Sequence, residues 1–375
     1  MDVVIIGAGQ AGVQVALSLR QKGHAGGITL IGDETHLPYQ RPPLSKAYLK
    51  GGMGRDSLTL RPADALAAQG IMLWLGTRVT GIDRTGHLVV TDREPVPYDR
   101  LEDADALGAA LQAARNVVII GGGFIGLEVA ATARAKGLSV TVVEAAPRVM
   151  ARAVAPAVSA WFEAMHRSIG TTVLTGTGVA AIEGTTRVET VILSDGARLP
   201  ADLVLVGIGA VPNAELALAA GLSCPNGIAV DAQGRTADPD IFAVGDCALH
   251  PNPSAGGPFR LESVQNAIDQ AKAVAAALLG DAVPYDAVPW FWSDQGSVKL
   301  QTTGLPINPD AHVLRGDPSE GRFTVFHLKD GRIIAADSVN MPADHMAARR
   351  LVAARAVITP ETLADPAIPL KSLLT

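Results

Sequence analysis

The stretch Val3-Val4-Ile5-Ile6 recurs letter for letter at Val117-Val118-Ile119-Ile120, and in both places it runs into a glycine turn. The first copy continues Gly7-Ala8-Gly9-Gln10-Ala11-Gly12 and the second Gly121-Gly122-Gly123-Phe124-Ile125-Gly126. An alanine-rich helical stretch follows each, closed by Gly23 or Gly137, and a second β-branched run comes next, Ile28-Thr29-Leu30-Ile31 or Val140-Thr141-Val142-Val143. Strand, glycine bend, helix and strand make a βαβ unit, present twice. A chain of 375 residues carrying two such units is expected to hold two or three domains of α/β class.

Each glycine has a separate physical task in such a unit. Gly7 and Gly121 permit the tight turn, and Gly9 and Gly123 clear space for a pyrophosphate at the backbone. Gly12 and Gly126 let the helix approach its strand. The helix tip then offers free N–H groups and a partial positive charge. An acid stands near the offset expected for a ribose ligand in both copies, Asp33 and Glu144. Two cradles imply two dinucleotides, and the common pairing is a resident flavin with a transient nicotinamide.

Composition narrows the remaining classes. Hydrophobic residues make up 48% and charged residues 18%, so a sizeable core is available. A formal charge of −6 disfavours a nucleic-acid binder. Two cysteines, Cys224 and Cys247, are too few for a chain-borne iron–sulfur cluster and too sparse for a disulfide-stapled fold. No metal site, signal peptide or membrane span is expected, which makes a soluble cytoplasmic protein the default.

Glu144, at a strand end, suits the adenosine ribose diol of NADH and opposes the extra phosphate of NADPH. Arg148 complicates that preference, either as a partner for the phosphate or as a solvated loop charge. Lys46, in the proline-stiffened segment Leu37–Lys46, is open to a cofactor contact or an ion pair. Residues 236–246 read as a turn, a strand and an acid, Asp246, placed for flavin ribitol hydroxyls. The helix after Glu262 either aims its dipole at the flavin ring or is simply amphipathic and packed.

At these segments, and at LPYQRPPLSKAYL, LPADLVLVGIGAVPN, DPDIFAVGDCA, RLESVQNAIDQA and PWFWSDQ, the chain resembles bacterial NADH-dependent ferredoxin reductases of oxygenase systems, a putidaredoxin-reductase-like group of FAD/NAD-linked oxidoreductases. The resemblance implies two Rossmann-like, glutathione-reductase-like domains plus a smaller α+β C-terminal domain. It implies FAD held through Gly7, Gly9, Ala11, Gly12, Asp33, Arg41, Lys46, Val79, Asp246 and Val264. It implies NADH held through Gly121, Gly123, Phe124, Ile125, Gly126, Glu144 and Gly209. Lys46 is implied to pair with Glu128 beside the flavin as an electrostatic tuner, and Trp290-Phe291-Trp292 to open the C-terminal domain. The implied reaction carries electrons from NADH through FAD to a [2Fe–2S] ferredoxin that serves a cytochrome P450 or a ring-hydroxylating dioxygenase. Lys272 and Lys299 are open to contact with an acidic ferredoxin or to a place as ordinary solvated lysines.

The repeat also exposes a departure. In the second half Leu199-Pro200-Ala201-Asp202 leads into the strand Leu203–Gly209, expected to be buried. In the first half the counterpart Val96–Arg100 leads instead into Leu101–Leu107, which reads as a helix. Family members carry about thirty more residues here by resemblance, including a core strand. Its loss is expected to weaken folding or FAD retention. The expected division is 1–100 with 211–287 for FAD, 101–210 for NADH, and 288–375 for the C-terminal domain. Competing readings are a disulfide reductase, which needs an early reactive cysteine where this chain has none before Cys224, and a monodehydroascorbate reductase-like or NADH oxidase-like enzyme. A third is a nucleotide-binding redox sensor without turnover.

Overall fold

The computed structural model describes residues 1–92, 100–281 and 283–374; most of the counterpart segment Val96–Arg100 lies outside them. The chain begins with β1 (Val3–Ile6), α1 (Gln10–Gln21), β2 (Ile28–Ile31), α2 (Ala63–Ala67), β3 (Ile71–Trp74) and a hairpin of β4 (Val79–Asp83) and β5 (Leu88–Thr91). The helix α3 (Arg100–Ala113) follows, as the sequence suggests. The second repeat comprises β6 (Asn116–Ile120), α4 (Phe124–Ala135), β7 (Ser139–Glu144), α5 (Pro156–Ser168) and β8 (Thr172–Thr175). Then come β9 (Val179–Glu183), β10 (Thr190–Leu193), β11 (Arg198–Pro200) and β12 (Leu203–Val206). The chain continues through α6 (Glu215–Ala219), β13 (Ile228–Ala229), β14 (Ala248–Asn252), β15 (Gly257–Phe259) and α7 (Val264–Leu278). It ends with β16 (Trp290–Gln295), β17 (Val298–Gly304), β18 (Ala311–Asp317), β19 (Arg322–Lys329), β20 (Arg332–Val339), α8 (Pro342–Ala353) and α9 (Pro360–Ala364), followed by a 3-10 turn at Leu370–Leu373.

These elements form two compact units. The first holds Met1–Leu44, Met53–Glu102 and Val211–Pro289; the second holds Ser45–Gly52, Asp103–Ala210 and Trp290–Thr375. Where the sequence suggests three domains, the second repeat and the C-terminal five-stranded sheet share one unit. The reason is a common core, in which Ile119, Leu127 and Val142 pack with Leu300, Phe323 and Val339. The short segment Ser45–Gly52 departs from the expected division for the same reason, since Leu49 is buried in that core.

In the first unit β1, β2 and β3 form a parallel sheet in the register Ile5–Leu30–Leu73, with α1, α7 and Leu66 of α2 covering it. In the second unit the matching parallel sheet has four strands, ordered β12-β6-β7-β8. Identical VVII strands thus meet different surroundings. β6 is flanked on both sides, whereas β1 pairs only with β2 among the described residues. Val118 is 1% exposed, while its counterpart Val4 is 46% exposed and Ile6 is 41% exposed. Each forgoes roughly 1 kcal/mol, about half the gain from fully burying such a side chain.

Strand neighbours among the described residues alter two expectations. The strand foreseen before Asp246 does not form; Phe242 makes a lone bridge to Arg235, and Gly245–Cys247 is a short 3-10 turn. A strand exists through its ladder, and this segment has none to join. The strand foreseen as buried at Leu203 does form as β12, but at the sheet edge, so its residues are half-covered and Val206 is exposed. No described helix is long and apolar enough to cross a membrane.

Candidate functional site

In the first unit the turn after β1 reverses at Gly7, whose φ of +104° favours glycine. A Cβ on Gly12 would lie 2.0 Å from the Gly7 carbonyl oxygen, so α1 presses directly on the turn. A Cβ on Gly9 would meet nothing within 4 Å. Gly9 also caps α1 with no side-chain hydrogen bond, leaving the helix-tip N–H groups free of a side-chain acceptor. Bare space and unspent donors at one point fit a pyrophosphate.

Other FAD candidates cluster with this turn. A Cβ on Gly245 would lie 3.1 Å from the Ala11 Cβ, and the Gly245 N–H donates to Gln270 Oε1 of α7 at 2.7 Å. Asp246 is thereby held near the mouth of the turn. Asp246 keeps exposed surface, yet its carboxyl is pushed up to about 6, chiefly by the chain crowding it away from bulk water and next by the charge of Glu262. Val264 opens α7, where Ser263 caps the helix by accepting from the Asn266 N–H. Val79 is buried in β4.

The ribose acid and Arg41 are placed less simply. Ladder register sets Ile31 opposite Ile6 and Val143 opposite Ile120, so Gly32 occupies the place of Glu144 and Asp33 stands one residue further on. Asp33 approaches Arg78 at 3.9 Å. Arg41 is bound to the buried Glu34 at 2.5 Å, and Tyr39 donates to the same carboxylate at 2.8 Å. Glu34 is a residue that spacing did not single out; only a fold that buries it beside Arg41 gives it a purpose.

The second unit repeats the cradle with its ribose acid preset. Gly121 turns at φ +107°, a Cβ on Gly126 would lie 2.3 Å from the Gly121 carbonyl oxygen, and a Cβ on Gly123 would meet open space. Glu144 accepts from the Gly122 N–H at 2.7 Å and from the Ala146 N–H at 2.7 Å, so its carboxylate is oriented toward the glycine turn. The end of β12 reaches the same place, since a Cβ on Gly121 would lie 2.3 Å from the Gly207 carbonyl oxygen. Exposed Ile125 and Ile208 flank this turn, apolar surface suited to a base or a nicotinamide. Phe124 turns its ring edge-on to Phe291 at 4.4 Å, leaving its backbone N–H as the group it offers at the helix tip.

Arg148 is neither of the groups weighed for it. Its guanidinium donates to Ala151 O at 2.6 Å, Ser159 Oγ at 2.7 Å and Val154 O at 3.0 Å, which staples the loop after β7 to α5. Arg152 was missed. Its guanidinium lies 3.8 Å from where a Cβ of Gly209 would sit, at the rim of the cradle.

Lys46 and Glu128 also meet within this unit. Lys46 Nζ is 3.0 Å from Glu128 Oε1 and 5.4 Å from the centre of the Trp292 ring. Glu128 is 3% exposed and accepts further from Ser45 Oγ at 2.6 Å and Ser293 Oγ at 2.6 Å. Burial pushes the Cys247 thiol up, and that of Cys224 likewise, so neither resembles an activated nucleophile. Lys272 and Lys299 are each paired with a near acid, Asp269 at 3.0 Å and Asp294 at 3.2 Å.

Comparison with known proteins identifies the family and the fold. The family model for pyridine nucleotide-disulphide oxidoreductases matches residues 1–101 and 97–271, and that for the reductase C-terminal region matches 290–374. The first match breaks at 97–101, where the repeat is interrupted. The chain is 45% identical to the rhodocoxin reductase of Rhodococcus erythropolis over 400 residues, covering 99% of this chain and 94% of the relative. That alignment is longer than the 375 residues of this chain, so the relative carries residues that this chain lacks. Among solved structures, the ferredoxin reductase for the CYP199A2 system from Rhodopseudomonas palustris superposes with a TM-score of 0.96 at 46% identity, covering all of both chains. The covalent putidaredoxin reductase–putidaredoxin complex gives 0.95 at 42% identity, covering 100% of this chain and 98% of that one.

Proposed function

The chain belongs to the pyridine nucleotide-disulphide oxidoreductase family, with a reductase C-terminal region, and from that premise we propose that it carries electrons from NADH through FAD to a [2Fe–2S] ferredoxin serving a cytochrome P450 or a ring-hydroxylating oxygenase. The observation that carries the reading is the pair of uncapped glycine cradles, one in each unit, each with open space at its middle glycine. Bound FAD supplies the exchange between a hydride and single electrons.

The remaining work is done by the chain. Gly7, Gly9 and Gly12 with the tip of α1 hold the FAD pyrophosphate, Asp33 takes the adenosine ribose, and Asp246 and Val264 take the ribitol and ring side. Gly121, Gly123 and Gly126 with the tip of α4 hold the NADH pyrophosphate, and Glu144 takes its ribose diol. The engagement of Arg148 by carbonyls and Ser159 removes it as a phosphate partner, which supports NADH over NADPH. Arg152 is placed to meet the dinucleotide at Gly209. Lys46, fixed by Glu128, brings one positive charge to the flavin and tunes it. Relatives named as ferredoxin reductases support the acceptor. The reading sets the enzyme in the cytoplasm, where reduced nicotinamide is available.

The purified protein is expected to be yellow, to bleach with NADH and to bleach poorly with NADPH. It is expected to reduce [2Fe–2S] ferredoxins faster than a dye control. Failure across a panel of such ferredoxins in a protein that NADH bleaches would overturn the acceptor. The exposed edge of β1 favours one rival, a nucleotide-binding module without turnover; yellow protein that NADH leaves unbleached would establish it.

A further inference from the structure

The segment Trp290-Phe291-Trp292-Ser293-Asp294-Gln295 lies on β16, so alternate side chains share a face. Phe291, Ser293 and Gln295 point toward α4 and α5, meeting Phe124, Glu128 and His166 in turn. Ser293, Gln295 and His166 are all fully buried.

Their hydrogen bonds have a single possible direction. Glu128, facing the Lys46 ammonium at 3.0 Å, is a carboxylate and only accepts. Ser293, 2.6 Å from Glu128 Oε1, must therefore donate its hydroxyl proton to it. The Ser293 oxygen is left to accept, and it does so from Gln295 Nε2 at 3.3 Å. That orientation turns Gln295 Oε1 to His166, so His166 Nε2 is the donor across 2.9 Å. His166 then holds its one ring proton at that end, in keeping with a buried ring kept neutral by desolvation and an Nδ1 with no partner. Every donor in the chain points at one carboxylate.

We propose that Ser293, itself oriented by Gln295 and His166, is the positioning residue that fixes the Glu128 carboxylate and through it the Lys46 ammonium. The role rests on the reading that Lys46 faces the flavin. A hydroxyl bonded to a buried carboxylate is among the stronger hydrogen bonds, and without it the carboxylate keeps Ser45 and Lys46 as its partners among the described residues. The Glu128 carboxylate is then free to turn about its side-chain bonds, and the Lys46 ammonium paired with it moves with it and samples more of the solvent.

Ser293→Ala and the nearly isosteric Ser293→Cys, whose thiol is a weak donor, test this in two readouts. In flavin-free protein, acylation of Lys46 by an amine-directed reagent, followed by peptide mass mapping, should quicken roughly tenfold in both variants, with other lysines as internal controls. In FAD-loaded protein the midpoint potential should move negative, because a cation held near the ring favours the reduced form. Unchanged Lys46 labelling in a variant with native circular dichroism would overturn the proposal. Faster labelling with an unmoved potential would uphold the positioning of Lys46 and overturn its placement at the flavin instead.

Discussion

In the proposed function single side chains carry the cofactor preferences, and two of them yield sharp expectations. Glu144 is the better oriented of the two ribose acids, with both carboxylate oxygens already bonded to backbone N–H groups. Glu144→Ala is expected to raise the KM for NADH about tenfold or more, a charge-assisted hydrogen bond being worth about 1.5–3 kcal/mol. The KM for NADPH should change far less; steady-state kinetics with both nucleotides measures the contrast. For Asp246 the prediction is one of pH. Ribitol hydroxyls donate to the ionised carboxylate, so binding lowers a carboxyl that stands at about 6 in the free protein. FAD affinity should therefore be full well above pH 6 and fall as pH drops through that value. In Asp246→Asn the inflection should vanish, as read by flavin fluorescence titration. Spacing singled out both residues as candidates. Their partners were not, because Glu34 with Arg41 and Arg148 with Ser159 are pairings made by loop closure.

Among the elements, the two βαβ units follow from their own sequences, since local patterning, glycine placement and β-branched runs all agree. Because the units are separate, their glycines should fail separately. A Cβ on Gly126 would meet the Gly121 carbonyl at 2.3 Å, which only a shift of α4 relieves. Gly126→Ala is expected to cost about 1–3 kcal/mol and to raise the KM for NADH while the protein stays yellow. Gly12→Ala should instead release FAD, seen as lost absorbance after gel filtration. The elements that sequence reading placed wrongly, the strand within residues 236–246 and Leu203–Gly209 as buried, share one cause. Both judgements depend on a neighbouring strand, and a strand's neighbour is not a local property.

For the whole molecule, the interruption near residue 100 matters most. Among the described residues β1 has a strand on one side only and leaves Val4 and Ile6 exposed, an arrangement that invites pairing with other chains. Inserting after Arg100 a linker with a strand like Leu203–Val206 is expected to cover both side chains and gain about 2 kcal/mol. Such a gain raises Tm by several degrees and should slow FAD loss; an unchanged Tm by calorimetry would mean that the edge is not a source of instability. The other large-scale departure, one core shared by the second repeat and the C-terminal sheet, has its reason in packing. Phe323, Val325 and Val339 complete a core that the second repeat begins with Val117, Ile119 and Leu127.

The sequence by itself determined the two glycine turns, proposed as phosphate cradles, and the acids near them, because a bend, a helix tip and a strand end are built from residues close along the chain. Only the tertiary structure decided what surrounds them. It set Glu144 against the glycine turn, took Arg148 out of contention, and gathered Ser45, Lys46 and Ser293 on one carboxylate. Those contacts join residues up to 165 positions apart, and nothing in local backbone preference favours one such meeting over another until burial leaves each polar group in need of a partner.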